Sequence, residues 1–409
     1  MTILAPPSTS PSQAPHRHHR LRTTLVVVAV TVLALASVFL LGGGWYFSGR
    51  IHNKMLDASV NAPTYNLHVV PDGGNAVVVS GTAGQALPDI LGTDATYALR
   101  LPGQTRTYVL GPVSSSGADS ATRSVSPATL AAIGNGTSAN AYREIWLTPT
   151  GAGEPYRTVA LTGETGALPS WVVPGHGAWR TTWVVHVHGK GHLLAEGLRA
   201  SVPLHRLGVT QLFAGYRGDA GAPPMAGNIN DFGAQSWQDV QSAVQYALDH
   251  GAQHVVLMGY SMGGTLVASF LSHSALATDV DAVVLDSPML DVNRTIAYGA
   301  SQSDLPVVGL PVPGVLTWSA TQIARLRYGS DWYNASYLDD TSWLTVPTLV
   351  LHGSDDQTVP VSTSRQLAQE RPDDVTLVVT PGAGHVESWN VDPTAYDAAL
   401  TSFLQTALR

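Results

Sequence analysis

The chain contains no cysteine, few charged residues and almost no lysine. The absence of cysteine among 409 residues excludes disulfide frameworks, thiolate catalysis and zinc sites with cysteine ligands. Charged residues make up 12% of the sequence, the net charge is -8, and the only lysines are Lys54 and Lys190. Because phosphate neutralisation needs clustered Lys and Arg, no nucleic-acid partner is expected. The apolar content of 44% suits a well-buried core, and the length allows two folded units.

One long apolar run lies near the N-terminus. It is preceded by a segment rich in Pro, Ser and Ala, so residues 1–22 are predicted to form a disordered cytoplasmic tail. No charged residue occurs from Thr23 to Gly49, a stretch long enough to cross about 30 Å of hydrocarbon as a helix. Trp45 and Tyr46 follow the aliphatic part, where aromatic rings suit a membrane interface. The sequence therefore predicts a transmembrane helix over residues 23–48, with the lipid bilayer as its partner.

The charges that flank this run predict its orientation. Three arginines precede it and two cations follow it: Arg17, Arg20, Arg22, Arg50 and Lys54. By the positive-inside rule this small excess favours a single-pass protein whose C-terminal part lies outside the cytoplasm. A cleaved signal peptide is the alternative, since Ala34-Leu35-Ala36 has the required small residues. That pattern, however, lies in the middle of the run and apolar residues continue beyond it.

A small β-rich region is predicted for residues 60–141. Short strand-like runs alternate there with Gly, Pro, Asp and Ser clusters, and Ser114–Ser120 is predicted to be an exposed loop. The predicted strands are Tyr65–Val70, Ala76–Val79, Tyr97–Leu101 and Thr107–Leu110. The region carries no recognisable chemical motif.

From about Tyr142 to the C-terminus, strand-like runs alternate with helical patterns. The predicted strands are Arg157–Leu161, Ser170–Val173, Thr182–Val187, Gln211–Phe213, Val255–Met258, Val283–Leu285, Thr348–Leu351 and Thr376–Val379. This alternation indicates an α/β fold, a mostly parallel twisted sheet with helices on both faces. One helix is predicted to begin with a capping box of Ser236 and Asp239 and to end at Gly251. The alternation stops over residues 291–342, which predicts an inserted cap within a domain spanning 142–409.

The chemistry is carried by a serine between a predicted strand and a predicted helix. Gly259-Tyr260-Ser261-Met262-Gly263 is a G-x-S-x-G motif in the strand-turn-helix context that a nucleophilic serine requires. The glycines allow a tight turn that exposes the hydroxyl. The alternative interpretation is an ordinary Gly-rich turn. In the catalytic interpretation Ser261 is the nucleophile.

A serine nucleophile needs a histidine base that is oriented by a carboxylate. Asp355 and Asp356 lie in the turn after Leu349-Val350-Leu351-His352-Gly353, and His385 follows the next strand on a glycine-rich loop. The order Ser, Asp, His is the one expected when the serine lies on such an elbow. Only one of the two adjacent aspartates can bond the imidazole.

These motifs resemble those of the α/β-hydrolase superfamily, from about Tyr142 to the C-terminus. The H-G-x-x-D-x-x-V-P pattern at His352–Pro360 implies that the acid is Asp356, with the adjacent Asp355 as the alternative. Asp286, at the end of Val283-Val284-Leu285, is a third candidate, because some family members carry the acid one strand earlier. The resemblance to cap-bearing lipases, esterases and aminopeptidase-like members implies a serine hydrolase. Dehalogenase and epoxide-hydrolase relatives are disfavoured because they place Asp at the elbow.

Two main-chain amides are expected to form the oxyanion hole. Met262 follows the nucleophile at a helix N-terminus, where free N–H groups favour negative charge. The segment His188-Gly189-Lys190-Gly191 resembles the family's H-G loop, which implies the Lys190 amide as the second donor. His186, His188 and His192 could converge on a metal, but a nearby carboxylate at the usual spacing is missing, so no metal and no cofactor are predicted.

The predicted function is hydrolysis of a carboxylic ester or thioester through an acyl-enzyme on Ser261, within a membrane-anchored protein. A serine peptidase or aminopeptidase, or an acyltransferase, would use the same residues. The expected substrate is therefore a small acyl ester, a thioester or a peptide. From a different class, a catalytically inactive, membrane-tethered binding protein is the alternative.

Overall fold

In the computed structural model, residues 15–59, 63–82, 87–191, 194–306 and 308–408 are described. They form one long N-terminal helix and two sheets. The strands are β1 (Leu67–Pro71), β2 (Ala76–Gly81), β3 (Tyr97–Arg100), β4 (Thr107–Leu110), β5 (Val113–Ser116), β6 (Ser120–Ser124), β7 (Thr137–Tyr142), β8 (Arg157–Gly163), β9 (Gly166–Val173), β10 (Thr182–Val187), β11 (Thr210–Ala214), β12 (His254–Tyr260), β13 (Ala282–Asp286), β14 (Thr348–Gly353) and β15 (Val375–Thr380). The helices are α1 (Pro15–Val38), α2 (Gly44–Ile51), α3 (Pro127–Ile133), α4 (Leu198–Leu207), α5 (Trp237–Asp249), α6 (Met262–His273), α7 (Val292–Ser301), α8 (Gly314–Tyr328), α9 (Val361–Glu370), α10 (Ser388–Val391) and α11 (Pro393–Ala407).

The N-terminal helix runs through two π-helical turns without a break. Phe39–Gly43 joins α1 to α2, and His52–Leu56 extends α2. Its part from Arg22 to Leu56 reaches a mean hydropathy of 2.8 and is long and apolar enough to cross a membrane or to act as a signal sequence. Residues 15–22, predicted as part of a disordered tail, are instead helical, because a nucleated helix adds further turns at low cost. Residues 1–14 of that predicted tail lie outside the described residues.

The β-rich region forms a seven-stranded antiparallel sheet in the order β4-β3-β7-β1-β2-β6-β5. The predicted loop Ser114–Ser120 is exposed up to residue 119, but only residues 117–119 connect strands, since residues 114–116 belong to β5 and Ser120 begins β6, with which β5 pairs as a hairpin. Serine and threonine carry this pairing on an exposed sheet edge, where an apolar alternation is not required. The sheet contacts the rest of the chain at α10, where the Thr96 amide donates to the Asn390 carbonyl at 2.7 Å.

The second sheet has eight strands in the order β15-β14-β13-β12-β10-β11-β9-β8. The run from β15 to β11 is parallel, whereas β9 pairs antiparallel with both β11 and β8. The predicted mostly parallel sheet is thus a mixed sheet, in which the antiparallel pairing is confined to β8 and β9. The reason is the short connection Glu164–Thr165 between β8 and β9, because so few residues can form only a hairpin and not a crossover.

Helices cover both faces of this sheet. Along β12, Val255 and Leu257 pack with α5 and α6, while Val256 and Met258 pack with α4 and α11. Because successive strand side chains point to opposite faces, both faces are apolar and all these residues are buried. Because both faces are buried, the sheet is rigid and holds the loops at its carboxyl edge in place.

The start of α5 differs from the predicted capping box. The hydroxyl of Ser236 donates to Asp231 and does not cap the helix. The carboxylate of Asp239 accepts from Arg217 at 2.8 Å and 2.9 Å. A charged partner outside the helix is a stronger donor than a free backbone N–H, so a long-range ion pair replaces the local cap.

The segment between β13 and β14 carries α7 and α8, which form the insertion over the carboxyl edge of the sheet. Helix α8 packs along α2. The Ser319 hydroxyl donates to the Leu40 carbonyl at 2.8 Å, and the Arg327 guanidinium donates to the Ser48 hydroxyl at 2.6 Å. A Cβ on Gly44 would lie 2.6 Å from the Ser319 hydroxyl, so glycine permits this close approach.

Candidate active site

Ser261 lies at the sharp turn between β12 and α6. Its backbone is strained, with φ 49° and ψ -116°, a conformation that non-glycine residues rarely adopt and that is concentrated at functional sites. A Cβ on Gly263 would collide with the Val187 carbonyl, so α6 can approach the neighbouring strand only with glycine there. The turn thus presents the serine hydroxyl above the sheet, although the side chain is largely buried.

His385 lies between Ser261 and Asp356. Its Nε2 is 2.8 Å from the Ser261 hydroxyl, and its Nδ1 is 2.7 Å from Oδ2 of Asp356. Because an ionised carboxylate can only accept, Nδ1 carries the proton and Nε2 is left to accept from the serine. This arrangement allows the imidazole to remove the hydroxyl proton.

The Asp356 carboxylate is buried and fully bonded. Its Oδ1 accepts from the amides of Thr358 and Val359 at 2.8 Å each. Its Oδ2 contacts His352 Nε2 at 3.2 Å as well as His385. Burial alone would raise the pKa of Asp356, but hydrogen bonds from the two histidines hold it well below its usual range. The carboxylate is therefore ionised over the physiological pH range.

The structure separates the three candidate acids. Asp355 is exposed and accepts from the Ser354 hydroxyl at 2.6 Å. Asp286 is buried and accepts from the Tyr396 hydroxyl at 3.0 Å, and burial raises the pKa of Asp286. Of the three carboxylates, Asp356 is the one that bonds His385.

The loop after β10 lies close to Ser261. A Cβ on Gly189 would lie 2.9 Å from the Ser261 Cβ, which places the following Lys190 amide next to the nucleophile. The Gly189 amide donates to Glu196 at 2.6 Å and fixes the loop. Within the described ranges, the main-chain N–H groups of Lys190 and Met262 have no hydrogen-bond acceptor. Both predicted oxyanion donors are thus free to bind an oxyanion.

Arg143 supports this geometry and was missed by the sequence reasoning. It donates to the His385 carbonyl at 2.7 Å and pairs with Glu144 at 2.9 Å and with Glu196 at 3.2 Å. Burial alone would lower the pKa of Arg143, but the two carboxylates raise it overall. One guanidinium therefore connects the histidine loop to the glutamate that fixes the oxyanion loop. No local motif marks Arg143, because the His385 carbonyl and Glu196 lie far from it in the chain.

Two of the three histidines weighed as metal ligands, His186 and His188, are hydrogen-bonded to other side chains of the protein. His186 bonds the Tyr260 hydroxyl at 3.1 Å and Gln211 at 3.2 Å, and burial lowers the pKa of His186 to about 3. His188 pairs with Asp219 at 2.9 Å; burial opposes the protonated form, but Asp219 raises the pKa of His188 overall. His192 lies outside the described residues.

A cavity of about 530 Å³ opens beside Ser261 and His385. Its walls come from three parts of the chain: the end of the N-terminal helix, the α7–α8 insertion and the loops above the sheet. From the helix it receives Phe47, Arg50, Ile51, Lys54 and Met55. Sequence reasoning missed these helix residues, although apolar residues four apart after a long apolar run are a readable amphipathic signal.

The comparisons with known proteins agree with this fold. Residues 203–409, about half of the chain, match the prolyl oligopeptidase family model. An uncharacterized protein, YfhR of Salmonella typhi, is 25% identical over 270 residues, which cover 61% of this chain and 82% of that protein. A non-heme haloperoxidase of Rhodococcus erythropolis is 36% identical over 191 residues, 38% of this chain and 69% of the relative.

Among solved structures, an esterase from Pyrococcus furiosus superposes with a TM-score of 0.50 at 20% identity, covering 63% of this chain and 94% of the esterase. At that identity the likeness concerns the fold alone. The sheet with its helices on both faces, the strained serine turn and the family match together identify the chain as an α/β-hydrolase that belongs to the prolyl oligopeptidase family.

Proposed function

We propose that this chain is a membrane-anchored serine hydrolase that cleaves a carboxylic ester or thioester through an acyl-enzyme on Ser261. One observation carries the proposal. The Ser261 hydroxyl, the His385 imidazole and the Asp356 carboxylate are joined by hydrogen bonds of 2.8 Å and 2.7 Å beside a cavity that could hold an acyl substrate.

In the proposed first step, the Ser261 oxygen attacks the substrate carbonyl while His385 Nε2 takes the hydroxyl proton. Asp356 holds the Nδ1–H and stabilises the imidazolium that forms. The negative charge that develops on the carbonyl oxygen is bound by the Lys190 and Met262 amides, each worth roughly 10²–10³ in rate.

In the second step the tetrahedral intermediate collapses and His385 gives its proton to the leaving alcohol or thiol. Water then attacks the acyl-enzyme, with His385 again as base, and Ser261 is regenerated. Every proton is moved by His385, so no cofactor enters this mechanism. Acyl transfer would follow the same course with an acceptor other than water in the last step.

Peptide hydrolysis is the second candidate, because the matched family is described as prolyl oligopeptidase. An aminopeptidase needs negative charge in its site to bind a free α-amino group. The described residues that line the cavity include the cations Arg50, Lys54 and Lys190 and no carboxylate, while a fourth lining cation, Arg143, is already paired with Glu144 and Glu196. This charge favours an ester without a free amine over an aminopeptidase substrate.

We propose the same organisation that the sequence predicts. Residues 23–48 anchor the chain in a membrane, residues 60–141 form a small β-rich region, and residues 142–409 form the catalytic domain with a cap at 291–342. The high exposure of the apolar run, with Leu33 at 67% and Leu35 at 66%, supports the anchor. The flanking charges support an extracytoplasmic catalytic domain.

A fluorophosphonate probe tests the proposed nucleophile. We expect the wild type and a Ser272→Ala control to be labelled, since Ser272 is an exposed serine on the same helix, and Ser261→Ala to stay unlabelled. A folded wild type that is not labelled would instead support an inactive binding protein. Hydrolysis of acyl esters of increasing chain length, compared with aminoacyl and peptide substrates, then distinguishes esterase from peptidase.

A further inference from the structure

One wall of the cavity is an extension of the proposed membrane anchor. Phe47, Ile51 and Met55 line the cavity from successive turns, and Arg50 and Lys54 line it from the same stretch of helix. The backbone stays helical from Pro15 to Leu56. The segment that would cross the membrane therefore continues directly into the substrate site.

The end of this helix is fixed to the loops around Ser261. The Lys190 ammonium donates to the Lys54 carbonyl at 2.9 Å, which joins the helix to the oxyanion loop. The Asn230 amide donates to the Leu56 carbonyl at 2.7 Å, and Leu56 is fully buried. The helix is thus a fixed part of the site and not a loose tether.

The insertion borders the cavity and carries exposed apolar side chains next to the apolar run. Ser303 and Val312 face the cavity, while Val308 and Leu310 of the same loop are each 60% exposed. Val315 at 55% and Trp318 at 64% continue this surface onto α8. We call these four exposed residues (Val308, Leu310, Val315 and Trp318) the apolar rim.

The rim lies at the level where the apolar run ends. Ser319, next to Trp318, donates to the Leu40 carbonyl at 2.8 Å, and a Cβ on Gly43 would lie 2.9 Å from Leu316. A contiguous exposed apolar patch marks an interaction site, and Trp is favoured at membrane interfaces. Continuity with the proposed anchor identifies the bilayer as the partner of the rim.

The cavity combines apolar walls with positive charge. Phe47, Ile51, Met55, Phe232, Met289 and Ile296 supply apolar surface. The described lining also includes the cations Arg50, Lys54 and Lys190 and no carboxylate, whereas the lining Arg143 is already paired with Glu144 and Glu196. Arg50 and Lys54 are exposed on consecutive turns. An amphiphile with an apolar chain and an anionic group complements such a site.

We propose that the substrate is an acyl ester of an anionic membrane lipid, which enters the cavity from the leaflet that the rim contacts. This inference rests on the proposed function and deepens it by naming the substrate class. Ser261 breaks the acyl C–O bond and forms the acyl-enzyme, and the lipid alcohol leaves with the proton from His385. Water then releases a fatty acid.

The test uses the full chain reconstituted into vesicles. Vesicles of phosphatidylglycerol are compared with vesicles of phosphatidylcholine by the fatty acid released, and a soluble p-nitrophenyl butyrate assay serves as reference. We expect at least tenfold faster release from phosphatidylglycerol than from phosphatidylcholine.

The double variant Arg50→Gln with Lys54→Gln should lower that preference about tenfold, because each basic residue near an anionic surface strengthens the attraction between the protein and the anionic lipid. Arg365→Gln is the control, because Arg365 is an exposed cation on α9 away from the cavity.

A second pair of variants tests the rim. Leu310→Asp with Trp318→Asp should lower the ratio of vesicle to soluble-ester hydrolysis at least tenfold. Leu326→Asp is the matched control, since Leu326 is 85% exposed on the same helix but about 12 Å further along the axis from Trp318. The control should keep the wild-type ratio.

The outcomes separate the inference from the function on which it rests. A wild type that is labelled by fluorophosphonate and cleaves p-nitrophenyl butyrate, but leaves both vesicle lipids intact, overturns the lipid substrate and leaves the serine hydrolase standing. Equal rates on both lipids overturn the anionic preference. A folded wild type without labelling overturns both proposals.

Discussion

Two histidines share one carboxylate at the candidate site. His385 contacts Oδ2 of Asp356 at 2.7 Å through Nδ1, and His352 contacts the same atom at 3.2 Å through Nε2. His352 is itself held by the Ser364 hydroxyl at 2.7 Å and the Val359 carbonyl at 3.1 Å. Since its ring is fixed at both nitrogens, His352 positions the carboxylate, while His385 alone also reaches the serine.

Replacement of this carboxylate should impair catalysis strongly. We expect Asp356→Asn to lower kcat about 10³–10⁴-fold, because an amide no longer stabilises the imidazolium or fixes its tautomer. Asp355→Asn is the matched control, since Asp355 is exposed, and it should stay within about threefold of the wild type. Steady-state hydrolysis of a soluble ester measures both. Loss of activity in the Asp355 variant alone would reverse the assignment of the acid.

Replacement of Asp286, in contrast to that of Asp356, should leave catalysis intact and should not lower stability at neutral pH. Burial raises the pKa of Asp286 in the folded chain. Ionisation of Asp286 therefore lowers the free energy of unfolding as the pH rises from the pKa in the unfolded chain, about 3.9, through the higher pKa in the folded chain. Asp286→Asn should therefore leave the urea midpoint at pH 7 unchanged or higher. The difference should shrink towards pH 3, where the carboxyl is protonated in both states. Activity should persist, and its loss in a folded variant would make Asp286 the acid.

At the scale of elements, the close packing of α2 against α8 depends on glycine. A Cβ on Gly44 would lie 2.6 Å from the Ser319 hydroxyl and 2.8 Å from the Ile323 side chain, whereas a Cβ on Gly49 meets nothing within 4 Å. The same substitution should thus have opposite effects at two positions of one helix.

We expect Gly44→Ala to lower stability by about 1–3 kcal/mol through overpacking. Gly49→Ala should raise it by up to about 1 kcal/mol, because alanine favours the helix. Thermal unfolding of the detergent-solubilised full chain measures both variants. Equal effects at the two positions would show that α2 does not pack on α8 in solution.

Elements with strong local patterns could be predicted, and long-range partners could not. The β4 and β10 bounds coincide with the predicted strands Thr107–Leu110 and Thr182–Val187, because alternating or continuous apolar runs are local signals. The Asp239–Arg217 ion pair and the β5–β6 hairpin depend on tertiary contacts or on a sheet edge, and the antiparallel pairing of β9 with β11 joins strands that are not consecutive in the chain. Likewise, the order Ser261, Asp356, His385 was readable, while Arg143 acts across 242 residues without any local motif.

At the scale of the whole molecule, the proposed membrane anchor would determine where the enzyme works. Val28 and Val32 are 53% and 58% exposed on one face of α1. Val28→Arg with Val32→Arg should release the chain from membranes, since each arginine costs about 2.5–3.5 kcal/mol at the centre of a spanning helix. Resistance to carbonate extraction measures the effect. Ser114→Arg with Ser116→Arg, on exposed positions of β5, should remain membrane-bound, and a wild type that carbonate extracts would refute the anchor.

The unbroken helix from Pro15 to Leu56 has a geometric consequence. A helix rises about 1.5 Å per residue, so the cavity-lining part of the helix, from Phe47 to Met55, lies roughly 8–20 Å along the axis beyond Gly42, where the aliphatic run has ended. In a bilayer, Ser261 would then stay at a set distance from the membrane surface while the molecule diffuses laterally. It would meet its substrate by diffusion in two dimensions, and only ester bonds that reach that distance would be cleaved.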